Sequence, residues 1–117
     1  MRSRRADRLL VEDMLESMGR IAGYTAGMGR EEFLSDRKTI DAVVRNLEVV
    51  GEAASRLSDA ARKLRDDIEW SLIVGLRNRI VHEYFGIDRE IVWEIISRDL
   101  LTLTGALTSF LAQLPEE

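Results

Sequence analysis

Apolar residues recur at spacings of three and four along most of this chain, a pattern typical of helices that bury one face. The pattern predicts four main helices. The first covers roughly residues 4–24, and the third runs from about Asp67 to Tyr84. The fourth follows an N-cap at Asp88 and ends near residue 113. The second helix has the clearest periodicity, carried by Ile40, Val43, Val44, Leu47, Val50, Ala54 and Leu57.

Turn-forming residues separate these helices. The segment from Met28 to Arg37 follows a group of glycines and is expected to be a loop, with Ser35 or Asp36 capping the second helix. Ser58 and Asp59 are expected to end the second helix and to cap a short helical turn over Ala60–Arg65.

Two glycines carry further structural information. Gly51 interrupts the apolar face of the second helix, where glycine costs about 1 kcal/mol relative to alanine. Its presence indicates that another backbone approaches this face closely. Gly86 is free to adopt a positive φ and is expected to end the third helix.

The composition agrees with an all-α protein. Of the 117 residues, 45% are hydrophobic, which is enough to bury a core, and the single proline, Pro115, interrupts no predicted helix. We therefore predict one domain, residues 1–117 with a core over about residues 4–114. Its fold should be an up-and-down helical bundle of four main helices plus a short helical turn.

Composition also narrows the possible functions. The chain has no cysteine and one histidine, so neither a disulfide nor a metal site is expected, and no cofactor is implied. No apolar run approaches the ~20 residues that span a bilayer, so we expect a cytoplasmic protein with no membrane partner. A net charge of −4 argues against a protein that coats DNA. The sequence shows no helix-turn-helix with a basic recognition helix, which argues against a transcription regulator.

The segment Arg77-Asn78-Arg79-Ile80-Val81-His82-Glu83-Tyr84 carries the chemistry. An arginine is always charged, and its donors match phosphate oxygens. A histidine can accept and donate protons near neutral pH, and His82 is the only one in the chain. Arg77 and His82 are about 140° apart on an ideal helix and could converge on one groove. Tyr84 could face the same site only if the helix frays near Gly86.

A purely structural role is the simpler interpretation of spacing alone. An imidazolium near a helix C-terminus is favoured by the helix dipole, and Arg77 and Arg79 could pair with acidic residues. The segment nevertheless matches a known signature. Arg77-x4-His82-x-Tyr84 resembles the R-x4-H-x-Y signature of the HepT-like HEPN toxins. The resemblance covers roughly residues 4 to 110 and extends to residues 36–53, to Trp70-x4-Gly75-Leu76-Arg77-Asn78, to Tyr84-Phe85-Gly86-Ile87-Asp88 and to Trp93.

One departure from the family lies before Trp70. Many members carry a proline there, whereas this chain has Asp66-Asp67-Ile68-Glu69. The difference affects how the helix begins and leaves the signature intact.

The resemblance implies a HEPN-like fold and a metal-independent endoribonuclease, the toxin of a toxin–antitoxin pair. It implies an MntA-like nucleotidyltransferase antitoxin that transfers AMP to the signature tyrosine, here Tyr84, and so silences the toxin. It also implies a homodimer, or a larger assembly with the antitoxin, in which two signature segments face one cleft.

The chemistry of RNA cleavage gives such a dimer a purpose. Attack by the RNA 2′-hydroxyl needs a base, an acid for the leaving 5′-oxygen and a cation for the developing charge. Our hypothesis is that two copies of His82 act as base and acid, that Arg77 holds the phosphate, and that Asn78 orients His82 or the ribose. Further candidates for supporting the cleft are Arg45, Asn46, Glu52 and Arg79, with Glu52 a possible partner of Arg77; the first three could equally well simply face solvent.

The main alternative is a binding module. In that case the chain is a non-catalytic helical subunit of a nucleotidyltransferase, and its Arg–His segment docks a substrate without cleaving it. Incubation with RNA in chelator, with wild type beside His82→Ala, separates the two functions.

Overall fold

The structure, a computed structural model, describes residues 4–115, with side chains from residue 6 onward. Residues 1–3, 116 and 117 lie outside the described part, so the extent of the domain stays a prediction. A two-stranded hairpin follows the sixth helix. The elements are α1 (Arg4–Thr25), α2 (Arg30–Leu34), α3 (Arg37–Arg56), α4 (Asp59–Leu64), α5 (Trp70–Val74), α6 (Leu76–Ile80), β1 (Val81–His82), β2 (Gly86–Ile87), α7 (Arg89–Glu94) and α8 (Leu100–Gln113).

The all-α fold class is confirmed, because helices dominate and the only strands among the described residues are two short ones. The most extensive contact joins α1 to α3, and α8 also packs against α1. The predicted apolar stripes face this interface: Met14, Met18 and Ile21 of α1 and Ile40, Val43, Leu47 and Val50 of α3 are all nearly or fully buried.

Two of the expected helix caps are confirmed. The carboxylate of Asp36 accepts the N–H of Thr39 at 3.0 Å and its hydroxyl at 2.8 Å, and these bonds lower the pKa of Asp36 below its ordinary value. The hydroxyl of Ser58 accepts the N–H of Ala61 at 3.1 Å and so begins α4. Ser58 is itself held by the buried carboxylate of Asp7, which accepts its N–H at 2.9 Å and its hydroxyl at 2.7 Å.

The prediction of a loop from Met28 to Arg37 is wrong in part, because α2 forms inside it. The short helix places Phe33 in the core, where its side chain is fully buried and its ring centroid lies 5.5 Å from that of Trp93. The flanking glycines indicated a loop, and a five-residue helix is too short to show a period.

Gly51 lies where α3 meets the carbonyl groups of α5, as the sequence indicated. A Cβ at this position would lie 3.0 Å from the Ile73 carbonyl oxygen and 3.6 Å from that of Val74. The missing side chain therefore sets how closely α5 approaches α3. Because α6 follows directly through Gly75, this contact also sets the position of the Arg77 backbone.

The predicted fourth helix runs from Arg89 to Gln113 as α7, a π-helical turn (Ile95–Asp99) and α8. The carboxylate of Asp88 caps it, as expected, by accepting the N–H of Ile91. This helix is long and apolar enough to cross a membrane, but the core helices of globular proteins also meet these criteria of length and composition. Its inner face buries Val92, Leu107 and Phe110 completely. The absence of a membrane partner stays a prediction.

Candidate functional site

The signature segment divides between a short helix and a hairpin. The third helix, predicted to reach Tyr84, is interrupted at Gly75 and ends at Ile80. The backbone of Val81 is extended, and β1 pairs antiparallel with β2 so that Val81 faces Ile87 and His82 faces Gly86. Gly86 has a φ of 75°, a conformation open to glycine without strain, and it closes the hairpin where a helix stop was expected.

The hairpin presents His82 to solvent beside the start of α7. Its side chain is 47% exposed, and Nε2 lies 3.6 Å from Oδ2 of Asp88. The N–H of Asp88 donates to the carbonyl of Ile80 at 2.7 Å, which closes the base of the hairpin. The only imidazole of the chain is thus accessible and lies at ion-pair distance from a fixed carboxylate.

Tyr84 lies in the hairpin loop and is 86% exposed; the neighbouring Phe85 is 88% exposed. Large aromatic side chains usually bury most of their surface, so this pair is unusual for a monomer. The phenol is therefore open to solvent.

Arg77 and Asn78 line a groove of about 780 Å³ between α1, α3 and the α5–α6 segment. Arg45 and Glu52 of α3 line the same groove, and their support of a cleft stays a prediction. The partner of Arg77 differs from the expectation, since its Nε lies 3.1 Å from Oε2 of Glu48. Glu52 is 3.4 Å from Arg56 instead, one turn along its own helix.

The groove carries both signs of charge. Four acidic and four basic side chains line it: Asp13, Glu16, Glu48 and Glu52, and Arg20, Arg45, Arg56 and Arg77. Three ion pairs form among them, Glu16 with Arg20, Glu52 with Arg56, and Glu48 with Arg77. Arg77 remains 66% exposed despite its ion pair, so its other nitrogens can still donate to an anion. Arg45, which also lines the groove, makes no ion pair with a residue that the structure describes.

Two of the predicted supporting residues lie elsewhere. Asn46 is buried, and its amide donates to the Ala42 carbonyl at 2.9 Å, because it follows Arg45 by 100° around α3 and so points towards the core. Arg79 lines a different, more apolar groove of about 530 Å³ between α5, α6 and the α7–α8 segment. His82 and Tyr84 also do not line the Arg77 groove of their own chain.

Sequence reasoning missed two residues of this region. Glu48 lies three positions after Arg45 and four before Glu52, so its spacing placed it on the same stripe of α3. Asp88 was predicted only as a helix cap, and nothing in the spacing showed that its second oxygen would face His82. No group of three His, Asp or Glu side chains that could hold a metal ion occurs within the part of the chain that is described.

These groups can supply acid–base chemistry and anion binding. His82 can exchange a proton with bound substrate, and Arg77 and Arg45 offer donors for a phosphate. Both Arg77 and His82 are reachable from solvent, and neither is enclosed in the core.

Comparison with known proteins agrees with this chemistry. Residues 14–112 match the family model described as "Ribonuclease HepT-like". A Thermococcus cleftensis protein named "Probable ribonuclease HepT" is 32% identical over 87% of this chain and 93% of its own length. Two Methanocaldococcus jannaschii proteins named "Putative RNase" are 40% and 34% identical, over 76% and 84% of this chain and 74% and 90% of their own lengths. No solved structure matches.

Proposed function

Because the chain belongs to the HepT-like ribonuclease family, we propose that it is a metal-independent endoribonuclease that cuts RNA through attack by the RNA 2′-hydroxyl. The observation that carries the proposal is the placement of His82. The only imidazole of the chain is exposed, faces a carboxylate, and follows Arg77 by five residues. A general acid–base group and a phosphate-binding cation therefore leave the core at the same short segment.

The proposed reaction transfers the scissile phosphate within the RNA. One His82 accepts the proton of the 2′-hydroxyl as that oxygen bonds to phosphorus. The bond from phosphorus to the 5′-oxygen breaks, and a second His82 gives the leaving oxygen its proton. Arg77 binds the non-bridging oxygens as their negative charge grows. The products are a 2′,3′-cyclic phosphate and a 5′-hydroxyl.

The proposal assigns the two imidazoles to two copies of the chain, because one imidazole cannot be base and acid at once. Within one chain His82 lies outside the groove that Arg77 and Asn78 line. A homodimer about a two-fold axis would place two signature segments opposite each other and form a cleft that a single chain lacks. Asn78, exposed beside Arg77, then orients the ribose or the imidazole.

We also propose that the enzyme is the toxin of a cytoplasmic toxin–antitoxin pair, silenced when a nucleotidyltransferase antitoxin transfers AMP to Tyr84. The phenol is 86% exposed and lies two residues from His82, so an added nucleotide would lie beside the site. Its phosphate would repel the RNA backbone, and its bulk would block the cleft.

A second function is favoured by one observation, the separation of His82 from the Arg77 groove within a chain. A chain that never forms the composite cleft would bind substrate at the groove and cleave nothing. It would then be a docking subunit for the nucleotidyltransferase.

The distinguishing experiment incubates purified protein with labelled single-stranded RNA in EDTA. We expect cleavage by wild type, and no cleavage by His82→Ala with unchanged helicity and oligomeric state. Binding of RNA by both proteins without cleavage by either would support the docking subunit and contradict the enzyme. A requirement for added metal would contradict the metal-independent chemistry.

The dimeric cleft has its own test. Assemblies that contain one wild-type and one His82→Ala chain are isolated with two different tags. If both imidazoles serve one cleft, activity should fall by at least about tenfold, since one of the two proton transfers is lost. Retention of half the wild-type activity would mean that each chain works alone.

A further inference from the structure

We infer that Asp88 is a positioning residue for His82, and that its carboxylate holds the imidazole in the tautomer with the proton on Nε2. The inference rests on the proposed function where it concerns cleavage, whereas the placement of the imidazole can be measured without RNA. Asp88 touches no substrate in this account and acts through His82 alone.

Asp88 is fixed at two points, its carboxylate and its backbone N–H, apart from its contact with the imidazole. Its Oδ1 accepts the N–H of Ile91 at 3.1 Å, as the N-cap of the long C-terminal helix. The N–H of Asp88 donates to the carbonyl of Ile80, the last residue of α6. The remaining oxygen, Oδ2, lies 3.6 Å from Nε2 of His82. This distance is an ion-pair contact longer than a hydrogen bond, and the inference is that the imidazole closes it to a hydrogen bond in solution.

A second N-cap in the same chain shows what capping alone requires. Asp36 begins α3 in the same way, but both of its oxygens bind Thr39, one through the N–H and the other through the hydroxyl. At Asp88 the equivalent position is Ile91, which has no hydroxyl. The second oxygen of Asp88 is thereby left for His82, a use that capping does not explain.

The contact decides which nitrogen of His82 can act on RNA. A carboxylate accepts hydrogen bonds and cannot donate them, so the nitrogen that faces it carries the proton. Nδ1 then keeps its lone pair for the proton of the 2′-hydroxyl. When Nδ1 accepts that proton, the imidazolium is balanced by the carboxylate on its other side. The hairpin supplies the ring, and Asp88 supplies its orientation.

The test compares Asp88→Asn with the matched control Asp36→Asn. Asparagine caps helices about as well as aspartate, so both variants should keep the fold. In Asp88→Asn the amide oxygen continues to cap Ile91, and the NH2 group then faces Nε2 of His82. A donor at that place favours the opposite tautomer, with the proton on Nδ1.

Nitrogen-15 NMR reads this directly, because the chain has one histidine and gives one pair of ring signals. At a pH where the ring is neutral, wild type and Asp36→Asn should show the Nε2–H tautomer as the major form. Asp88→Asn should show a shift towards Nδ1–H. An unchanged tautomer ratio in Asp88→Asn would overturn the inference, whatever the activity of the protein.

Cleavage gives the second readout. We expect kcat of Asp88→Asn to fall by at least about tenfold with little change in KM, because the base is misoriented while the phosphate contacts remain. Asp36→Asn should retain wild-type kcat. If Asp88→Asn changes the tautomer but the wild-type protein cuts no RNA, the proposed function is contradicted and the placement of the imidazole by Asp88 stands. Wild-type activity in Asp88→Asn would contradict the positioning role.

Discussion

The close approach of α5 to α3 at Gly51 makes a quantitative prediction for Gly51→Ala. In an open helix interior, glycine to alanine stabilises by about 1 kcal/mol through backbone entropy. At Gly51 the new Cβ would lie 3.0 Å from the Ile73 carbonyl oxygen and 3.9 Å from Cβ of Leu76. Backbone cannot move aside as a flexible side chain can, so overpacking should cost about 1–3 kcal/mol. The free energy of unfolding of Gly51→Ala should therefore fall by about 0–2 kcal/mol relative to wild type.

The matched control is Gly105→Ala in α8. This glycine is exposed, and a Cβ there would meet no atom within 4 Å outside the local helix backbone. Gly105→Ala should therefore raise the free energy of unfolding by about 1 kcal/mol, the full difference in helix propensity. Urea unfolding at fixed protein concentration should separate the two variants by about 1–3 kcal/mol, with equal m-values.

The same substitution should affect the site, because α6 follows α5 without a linker beyond Gly75. A displacement of α5 from α3 would carry Arg77 away from Glu48, its partner at 3.1 Å. RNA cleavage by Gly51→Ala should fall, whereas Gly105→Ala should cleave as wild type does. Stabilisation of Gly51→Ala equal to that of Gly105→Ala would refute the argument from close packing.

Three further predictions concern single side chains. Arg77→Ala should lower kcat/KM for RNA by about 10²-fold, because the charge that stabilises the phosphate is lost. Arg79→Ala, on the other groove, should change kcat/KM little, and equal losses in a cleavage assay would contradict the assignment of RNA to the Arg77 groove. Incubation with the proposed nucleotidyltransferase antitoxin and ATP should add about 329 Da per transferred AMP to wild type and to Tyr24→Phe, which changes the other tyrosine, but none to Tyr84→Phe, as read by intact-mass spectrometry. Asp7→Ala should lower the free energy of unfolding in urea by about 1–3 kcal/mol, because it leaves the Ser58 N–H without its acceptor; a neutral result would mean that water replaces the carboxylate.

Periodicity was sufficient to predict α1 and α3, whereas the predicted third helix is divided at Gly75 and ends at Ile80. The apolar stripes of α1 and α3 are continuous over several turns, so their buried faces follow from sequence alone. The caps at Asp36 and Asp88 were also predictable, since a short polar side chain precedes a regular apolar run. Even the approach at Gly51 left a signal, because the glycine replaces a side chain on an otherwise apolar face.

The hairpin after α6 could not be predicted in the same way. Ile80 and the residues before it continue a helical stripe, and a two-residue strand is too short to show alternation. What ends the helix is a tertiary arrangement, in which Val81 and Ile87 pack against the core while Gly86 closes the turn. The resemblance supplied the identity of His82 and Tyr84, but their place in a hairpin, and the role of Asp88 beside them, needed coordinates.

The cleft residues show the same division. Arg45 and Glu52 share one stripe of α3, but spacing alone left open whether that stripe lines the cleft or faces solvent; the structure places it along the groove of Arg77. Asn46 was a candidate on the same grounds, but it turns inward, where its amide donates to the Ala42 carbonyl. The family assignment is confirmed by the match over residues 14–112.

The most direct test of the account is the chemistry of the RNA ends that the purified chain produces in EDTA. Mass spectrometry of the upstream fragments should find 2′,3′-cyclic phosphates, and the downstream fragments should begin with 5′-hydroxyls. His82→Ala should produce neither. Fragments that end in a 3′-hydroxyl, or identical fragments from His82→Ala, would contradict a reaction in which this histidine moves the proton of the 2′-hydroxyl.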